Sequence, residues 1–256
     1  GWQDHVAFGS KYAGTDNIPG IIDGIIENVI VADPSDPDGI KETLEMDGDI
    51  AAVILEPTGA SSGQIPLSRE FAKMLREVTK AQGIVLIFDE VVTGFRVSAG
   101  GAQAAFGLLP DLTALAKILA GGLPGGAVCG RRDIMQLLDF EAAEFHGFQK
   151  IPHQGTFNAN PLSAATGIEM LARVAETEES EQANEQGRKL MAACNKAFAT
   201  SDLAWAAYGN GSSVYIYTNP DGLEIDPENF DALAQPMPVM ERASNHTAKD
   251  LFRLAM

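Results

Sequence analysis

Apolar and polar positions follow two rhythms along this chain. Residues 50–55 and 84–88 are continuous apolar runs, each of a length and β-branching that suit a strand buried on both faces. Between them the spacing changes: Phe71, Met74, Leu75 and Val78 share one helical face, entered through Ser68 and closed at Gly83. Strand, helix and strand at this spacing predict a βαβ unit and hence a parallel sheet. The same reading predicts a short strand at 28–32, closed by turn residues Asp33-Pro34-Ser35, and a helix to about Met46 with Ile40 and Leu44 inside. Further strands are predicted at 111–115 and 126–130. A helix over 162–174 is entered through Asn160-Pro161, and a polar helix covers about 178–198.

After the turn residues Gly209-Asn210-Gly211, the stretch 213–218 alternates, as a half-exposed strand does. The change of sheet style predicts two domains, residues 1–178 and 179–256. The class is therefore α/β: a mostly parallel sheet flanked by helices, followed by the start of a smaller α+β domain. No internal repeat and no linker long enough to be disordered interrupts the pattern. The C-terminal residues 251–256 read as amphipathic helix without a stop signal.

Composition changes this picture little. With 256 residues and 45% hydrophobic content the chain can bury a large core. A net charge of −17 argues against a nucleic-acid partner, because phosphate binding needs a basic face. Cys129 and Cys194 have no metal-ligand spacing, and cysteine usage this sparse predicts a reducing, cytoplasmic setting. No apolar run reaches transmembrane length, so no membrane partner is expected.

Chemistry concentrates between Glu56 and Pro161. The apolar strand at 84–88 ends abruptly in Asp89-Glu90, and ligands of open α/β sheets gather outside the carboxyl ends of the strands. Asp89 is thus a site residue or a helix cap. Glu56-Pro57 ends the preceding strand in the same way. Lys117 lies among Leu115, Ala116, Ile118 and Leu119, just before Gly121-Gly122, where it must snorkel out, pair or change its chemistry. A solvated surface lysine is the plain alternative. Thr156, in Gly155-Thr156-Phe157-Asn158-Ala159-Asn160-Pro161, is either part of an anion nest or, like Asn160, a helix cap. The glycine-rich run 121–126 lacks the Gly-Lys-Ser/Thr ending of a P-loop and reads as a turn beside Lys117. His5, His146, His153 and His246 have no metal-ligand spacing, so no metal site is expected.

An amine and an acid so placed fit one chemistry, pyridoxal phosphate held as a Schiff base with a carboxylate facing its pyridinium nitrogen. The run Phe88-Asp89-Glu90-Val91-Val92-Thr93-Gly94-Phe95-Arg96, with Leu115-Ala116-Lys117 and its glycine turn, resembles the class III aminotransferases. Within them it is most similar to the glutamate-1-semialdehyde aminomutases and their paralogues. The resemblance implies the type I fold of pyridoxal-phosphate enzymes. It also implies that Lys117 binds the cofactor and moves protons, and that Asp89 holds the ring nitrogen protonated. Val91 is expected to pack on the ring face, with core packing as its plain alternative. Glu56 is expected to support the pocket, and Ser61 to lie near the ring hydroxyl. Thr156 is expected to reach the cofactor phosphate of the neighbouring subunit in a homodimer. At Ser61 the chain departs from the aminomutases, which carry asparagine there.

The activity implied is amino-group transfer, either within glutamate 1-semialdehyde to give the tetrapyrrole precursor 5-aminolevulinate, or, as in an ordinary transaminase, between an amine or amino acid and a keto acid. A non-catalytic relative is the third reading, which the retention of both Asp89 and Lys117 opposes. The stretch Gly1-Trp2-Gln3-Asp4-His5 resembles an internal part of the family sequence. The chain is therefore expected to be the middle of a longer protein, and inactive by itself.

Overall fold

The computed structural model of the chain describes residues 24, 27–59, 65–244 and 247. Helix α1 (Pro37–Met46) starts where Asp36 accepts a hydrogen bond from the Gly39 N–H, with Pro37 pre-set for the first turn. Helix α2 (Arg69–Gln82) is capped by Ser68, whose Oγ accepts from the Phe71 N–H at 3.0 Å, and ends at Gly83 with φ 73°. Between and beyond them run β1 (Ala52–Leu55), β2 (Val85–Glu90), β3 (Leu112–Ala116) and β4 (Gly126–Gly130), in that spatial order. The first three are parallel and β4 is antiparallel to β3. The βαβ unit is thus β1–α2–β2.

Period-two alternation sorts the side chains of β2. Leu86, Phe88 and Glu90 are buried, while Val85, Ile87 and Asp89 are half-buried. Leu86 and Phe88 pack with Ala72 of α2 and Phe106 of the short helix α3 (Gly101–Phe106). Burial of each large side chain stabilises the fold by about 1.5–3 kcal/mol. A second cluster joins Leu44 of α1 to Leu75, Val78 and Ile84. The expectation of strands buried on both faces is corrected here: on the opposite face Ile54 of β1 is 57% exposed and Val128 of β4 is 53% exposed. Among the described residues, helices cover one face of this sheet and leave the other open.

The strand expected at 28–32 is turn and irregular backbone, with Ile30 and Val31 exposed. No strand among the described residues pairs with it, and an apolar run without a partner has nothing to hold it extended. After β4 come two short helices, α4 (Arg132–Met135) and α5 (Phe140–His146), and then two long ones, α6 (Pro161–Glu176) and α7 (Glu179–Ala199). Strands β5 (Ala206–Asn210) and β6 (Ser213–Tyr217) form a separate antiparallel hairpin, followed by helix α8 (Met237–Ser244). Tyr217 stacks on Phe230 with centroids 4.7 Å apart, and Ile65, Met240 and Ala243 complete that core. Cys129 and Cys194 are unpaired, and among the described residues no helix is long and apolar enough to cross a membrane. The expected helix at 251–256 lies outside the described residues.

Candidate active site at the carboxyl edge of the sheet

Strand register brings three predicted residues to one edge. Leu55 of β1 stands beside Phe88 of β2, so one further residue along each strand sets Glu56 level with Asp89. Asp89 pairs with Ala114 of β3, and Lys117 follows three residues later at the end of that strand. All three sit at the carboxyl ends of neighbouring parallel strands, the place where such sheets bind ligands.

Asp89 leans to the open face. Its Oδ1 accepts from the Val91 N–H at 3.1 Å, which turns the chain sharply as β2 ends, and Oδ2 has no partner among the described residues. Asp89 therefore caps no helix. Val91 itself is half-buried. The neighbouring acid behaves in the opposite way. Glu90 is fully buried, and its carboxylate accepts from the Ala102 N–H (2.6 Å), the Gln103 N–H and Nε2 (both 3.1 Å) and Thr93 Oγ1 (3.3 Å). It caps α3, whose own N-cap residue is Gly100 and has no side chain to do so. Sequence reasoning missed this residue. The available signal was a helix start at Gly100-Gly101 that lacked a capping side chain and had to borrow one.

Lys117 is the first residue of a single 3-10 turn, Lys117–Ala120, and has φ 51°, in the left-handed region. A non-glycine residue held there costs about 1–3 kcal/mol and clusters at functional sites. Of the three outcomes open to a lysine among apolar neighbours, its side chain snorkels out: it is exposed, while Ile118 and Leu119 are half-buried and Ala120 is buried. Nζ makes no hydrogen bond or ion pair with a described residue.

Glu56 accepts from the Thr58 N–H (3.2 Å) and Oγ1 (3.1 Å). It also lies near Tyr215 of β6: burial first, and next the charge of Glu56, push that phenol up to about 12. The hairpin thus closes over the end of β1. The loop after Asp89 is fastened to the same hairpin. Asn184 of α7 donates to Val97 O (2.9 Å) and accepts from the Ser212 N–H (2.9 Å), and Arg96 donates to Ser212 Oγ at 3.3 Å.

Thr156 shares no hydrogen bond with these residues. It lies in an exposed turn between Gly155 and Asn158, next to Phe157, which is 80% exposed. The helix cap is Asn160, whose Oδ1 accepts from the N–H groups of Leu162 and Ser163, so Thr156 is not spent on capping. Ser61, His5, His246 and the stretch 1–5 lie outside the described residues. Among the described residues no cluster of His, Cys, Asp or Glu is suited to a metal ion.

An amine and a carboxylate oxygen without partners among the described residues, at the ends of adjacent strands, can between them hold an aldehyde-bearing heterocycle or shuttle a proton. Comparison with known proteins narrows the choice. The chain is 37% identical over 213 residues to the glutamate-1-semialdehyde 2,1-aminomutase of Desulforudis audaxviator, covering 83% of this chain and 48% of that protein. It is 36% identical over 223 residues to the aminomutase of the same name from Rhodopirellula baltica, covering 86% and 49%. The chain spans less than half the length of these two relatives. Among solved structures, an omega-transaminase from Sphaerobacter thermophilus superposes with a TM-score of 0.77 at 30% identity, covering 95% of this chain and 53% of that one. The family model of the class-III aminotransferases matches residues 37–206, spanning the sheet, both strand-end acids, Lys117 and α6, and the chain belongs to that family.

Proposed function

We propose that this chain carries the catalytic lysine and acid of a pyridoxal-phosphate enzyme that transfers amino groups. The observation that carries the reading is Lys117: an exposed amine on a left-handed residue, one strand away from Asp89, with neither the amine nor Asp89 Oδ2 partnered among the described residues. The donor set fits the cofactor. When bound, pyridoxal phosphate supplies an aldehyde carbon that condenses with an amine, with loss of water, and a protonated ring that takes up the electron pair left at the substrate carbon. Lys117 Nζ would be the amine that holds the cofactor, and the same atom could move a proton between carbons once substrate took its place. Asp89 Oδ2 holds a proton on the ring nitrogen. Val91 would pack against the ring and Glu56 would support the pocket with Thr58, while Ser61 is assigned to the ring hydroxyl by resemblance alone.

The reaction favoured is that of a glutamate-1-semialdehyde 2,1-aminomutase, giving 5-aminolevulinate, supported by similarity to the two aminomutases over more than four-fifths of the chain. A class III transaminase acting on an amine or amino acid and a keto acid is the second reading. Ser61 in place of asparagine and the likeness to an omega-transaminase favour it. The working form is a cytoplasmic homodimer in which Thr156 donates its hydroxyl to the phosphate of the partner's site. Supporting this, Phe157 and Leu162, which flank Thr156 in sequence, are 80% and 65% exposed, apolar surface of the kind that subunit contacts cover.

Borohydride reduction of the full-length protein with pyridoxal phosphate, followed by peptide mapping, tests the reading. The pyridoxyl mass is expected on Lys117, and its appearance on Lys41, Lys150 or another lysine instead would overturn the assignment.

A further inference from the structure

Strained backbone persists only where its surroundings over-determine it. Within its own turn, Lys117 has little to hold it: the 3-10 turn has no side-chain cap, and its two flanking elements, β3 and β4, end there. The support comes from 46 residues further along the chain. Thr166 of α6 donates its hydroxyl to Ala120 O at 2.8 Å, and Ser163, one helical turn earlier, donates to Pro124 O at 2.7 Å. The next residue, Gly167, is the one buried residue of α6, and a Cβ added there would meet Leu119 O at 2.8 Å. From the other side, a Cβ on Gly121 (φ 61°) would lie 2.5 Å from Thr166 O. Helix and turn therefore meet backbone to backbone. Gly121 and Gly167 permit the approach, and two hydroxyls tie the turn to the helix, one at Pro124 O and one at Ala120 O, which also accepts from the Leu123 N–H at 3.2 Å.

We propose that Thr166, seated by Gly167, is a positioning residue for Lys117: the α6 strip Ser163-Thr166-Gly167 clamps the turn so that the lysine holds its left-handed backbone and presents Nζ at the carboxyl edge. Thr166 touches no reacting atom. Its hydroxyl proton has three carbonyls in range, Ala120 O at 2.8 Å and, within α6, Ser163 O at 3.1 Å and Leu162 O at 3.3 Å. When the bond to Ala120 fails, the hydroxyl has partners at home, so α6 stays intact while the turn is released. Loss of the clamp is thus expected to act on the amine more than on the fold. The inference rests on Lys117 being the cofactor-binding lysine.

The test uses the full-length protein and the variants Thr166→Val, Thr166→Ser and Gly167→Ala, with two readouts besides turnover. One is the rate at which added pyridoxal phosphate becomes reducible onto Lys117. The other is the pH midpoint of the visible absorbance of the bound cofactor. Thr166→Val is expected to slow capture on the order of tenfold, the factor that a loss of about 1.4 kcal/mol of positioning gives. It should also shift the absorbance midpoint, with melting within a few degrees of wild type. Thr166→Ser, which keeps the hydroxyl, should restore both. Gly167→Ala, which pushes Leu119 away, should reproduce the valine effect. If Thr166→Val does not fold, Gly167→Ala and Thr166→Ser alone decide. Wild-type capture rate and midpoint in Thr166→Val or, failing that, in Gly167→Ala overturn the clamp. So does a serine variant that fails to rescue. A wild-type protein that takes no label on Lys117 overturns the proposed function instead, and the two failures are told apart by that first measurement.

Discussion

Asp111 and Asp89 stand at opposite edges of one sheet and use their carboxylates in opposite ways. Asp111, at the amino edge just before β3, is buried, and its valences are taken: the Leu86 N–H at 2.8 Å, Arg76 at 2.9 Å and Arg131 at 3.0 Å. It ties β2, α2 and the end of β4 together. Burial pushes its carboxyl up, but the Leu86 N–H and the two guanidinium groups outweigh that and hold it below the usual carboxylate range. Asp89, at the carboxyl edge, spends one oxygen on the turn at Val91 and leaves the other open. A carboxylate with every lone pair committed is a rivet, and one with an oxygen left over is available for a ligand. Under the proposed function, the sheet puts its stability at one edge and its chemistry at the other.

If this division is right, substitutions at the carboxyl edge should lower rate and spare stability. Lys117→Ala is expected to have the largest effect, abolishing turnover and reducible cofactor together while melting stays near wild type, because an exposed side chain contributes little packing. Asp89→Asn comes next. Loss of a buried charge interaction worth about 3–5 kcal/mol corresponds to a rate factor on the order of a hundred to several thousand. Cofactor occupancy measured by absorbance should fall far less than that. A variant with near-normal turnover would reduce Asp89 to a turn-former.

At the amino edge the signs reverse. Asp111→Ala strands the mostly buried Arg76 and the Leu86 N–H, and is expected to cost about 3–5 kcal/mol in denaturant unfolding. The effect has a pH signature. Because the folded carboxyl is held low, its contribution is fully present above the unfolded value of about 3.9 and is lost as pH falls through the lower folded value. The stability gap between wild type and variant should stay constant above about pH 5 and narrow in stronger acid. A gap that does not change with pH would mean that Asp111 acts by packing alone.

How far the sequence shows this division depends on what each residue's signal requires. The apolar runs at 50–55 and 84–88 and the capped helix between them identify their elements without help, since periodicity and Ser68 are local. The abrupt ends at Glu56 and Asp89 mark the carboxyl edge of the sheet because strand ends are visible in one dimension. Pairing is not visible. Residues 28–32 look like a strand and have no partner among the described residues, whereas 206–210, reading Ala-Ala-Tyr-Gly-Asn, form a strand only because 213–217 folds back on them. Asp111 was legible only as the start of a strand, since its three partners lie 20 to 35 residues away in sequence. Thr166 lies further still from the turn it holds. Long-range hydrogen bonds from short polar side chains leave no periodic trace.

Adjacent residues on β2 give the sharpest form of the comparison and its smallest predicted effect. Asp89 and Glu90 are both acids, and the alternation of a strand sends them to opposite faces. Glu90→Gln keeps the size but sets an NH2 group against the N–H donors of Ala102 and Gln103, which leaves at least one buried donor unsatisfied. Such a loss costs about 1–3 kcal/mol. No relief by reorientation is open to the side chain, because Gly101 is pressed against the carboxylate: a Cβ there would sit 2.2 Å from Oε2. Melting should therefore drop. Turnover at a temperature well below melting should change little, because Glu90 faces the helices and Asp89 keeps its place on the other side. The pair Asp89→Asn and Glu90→Gln thus makes a crossed experiment on neighbouring residues, one losing rate and the other losing stability. If Glu90→Gln lowers turnover as far as Asp89→Asn does while the protein remains folded, the loop from Val91 to Gly101 transmits its set to the site, and rate and stability are not separated by the face of β2.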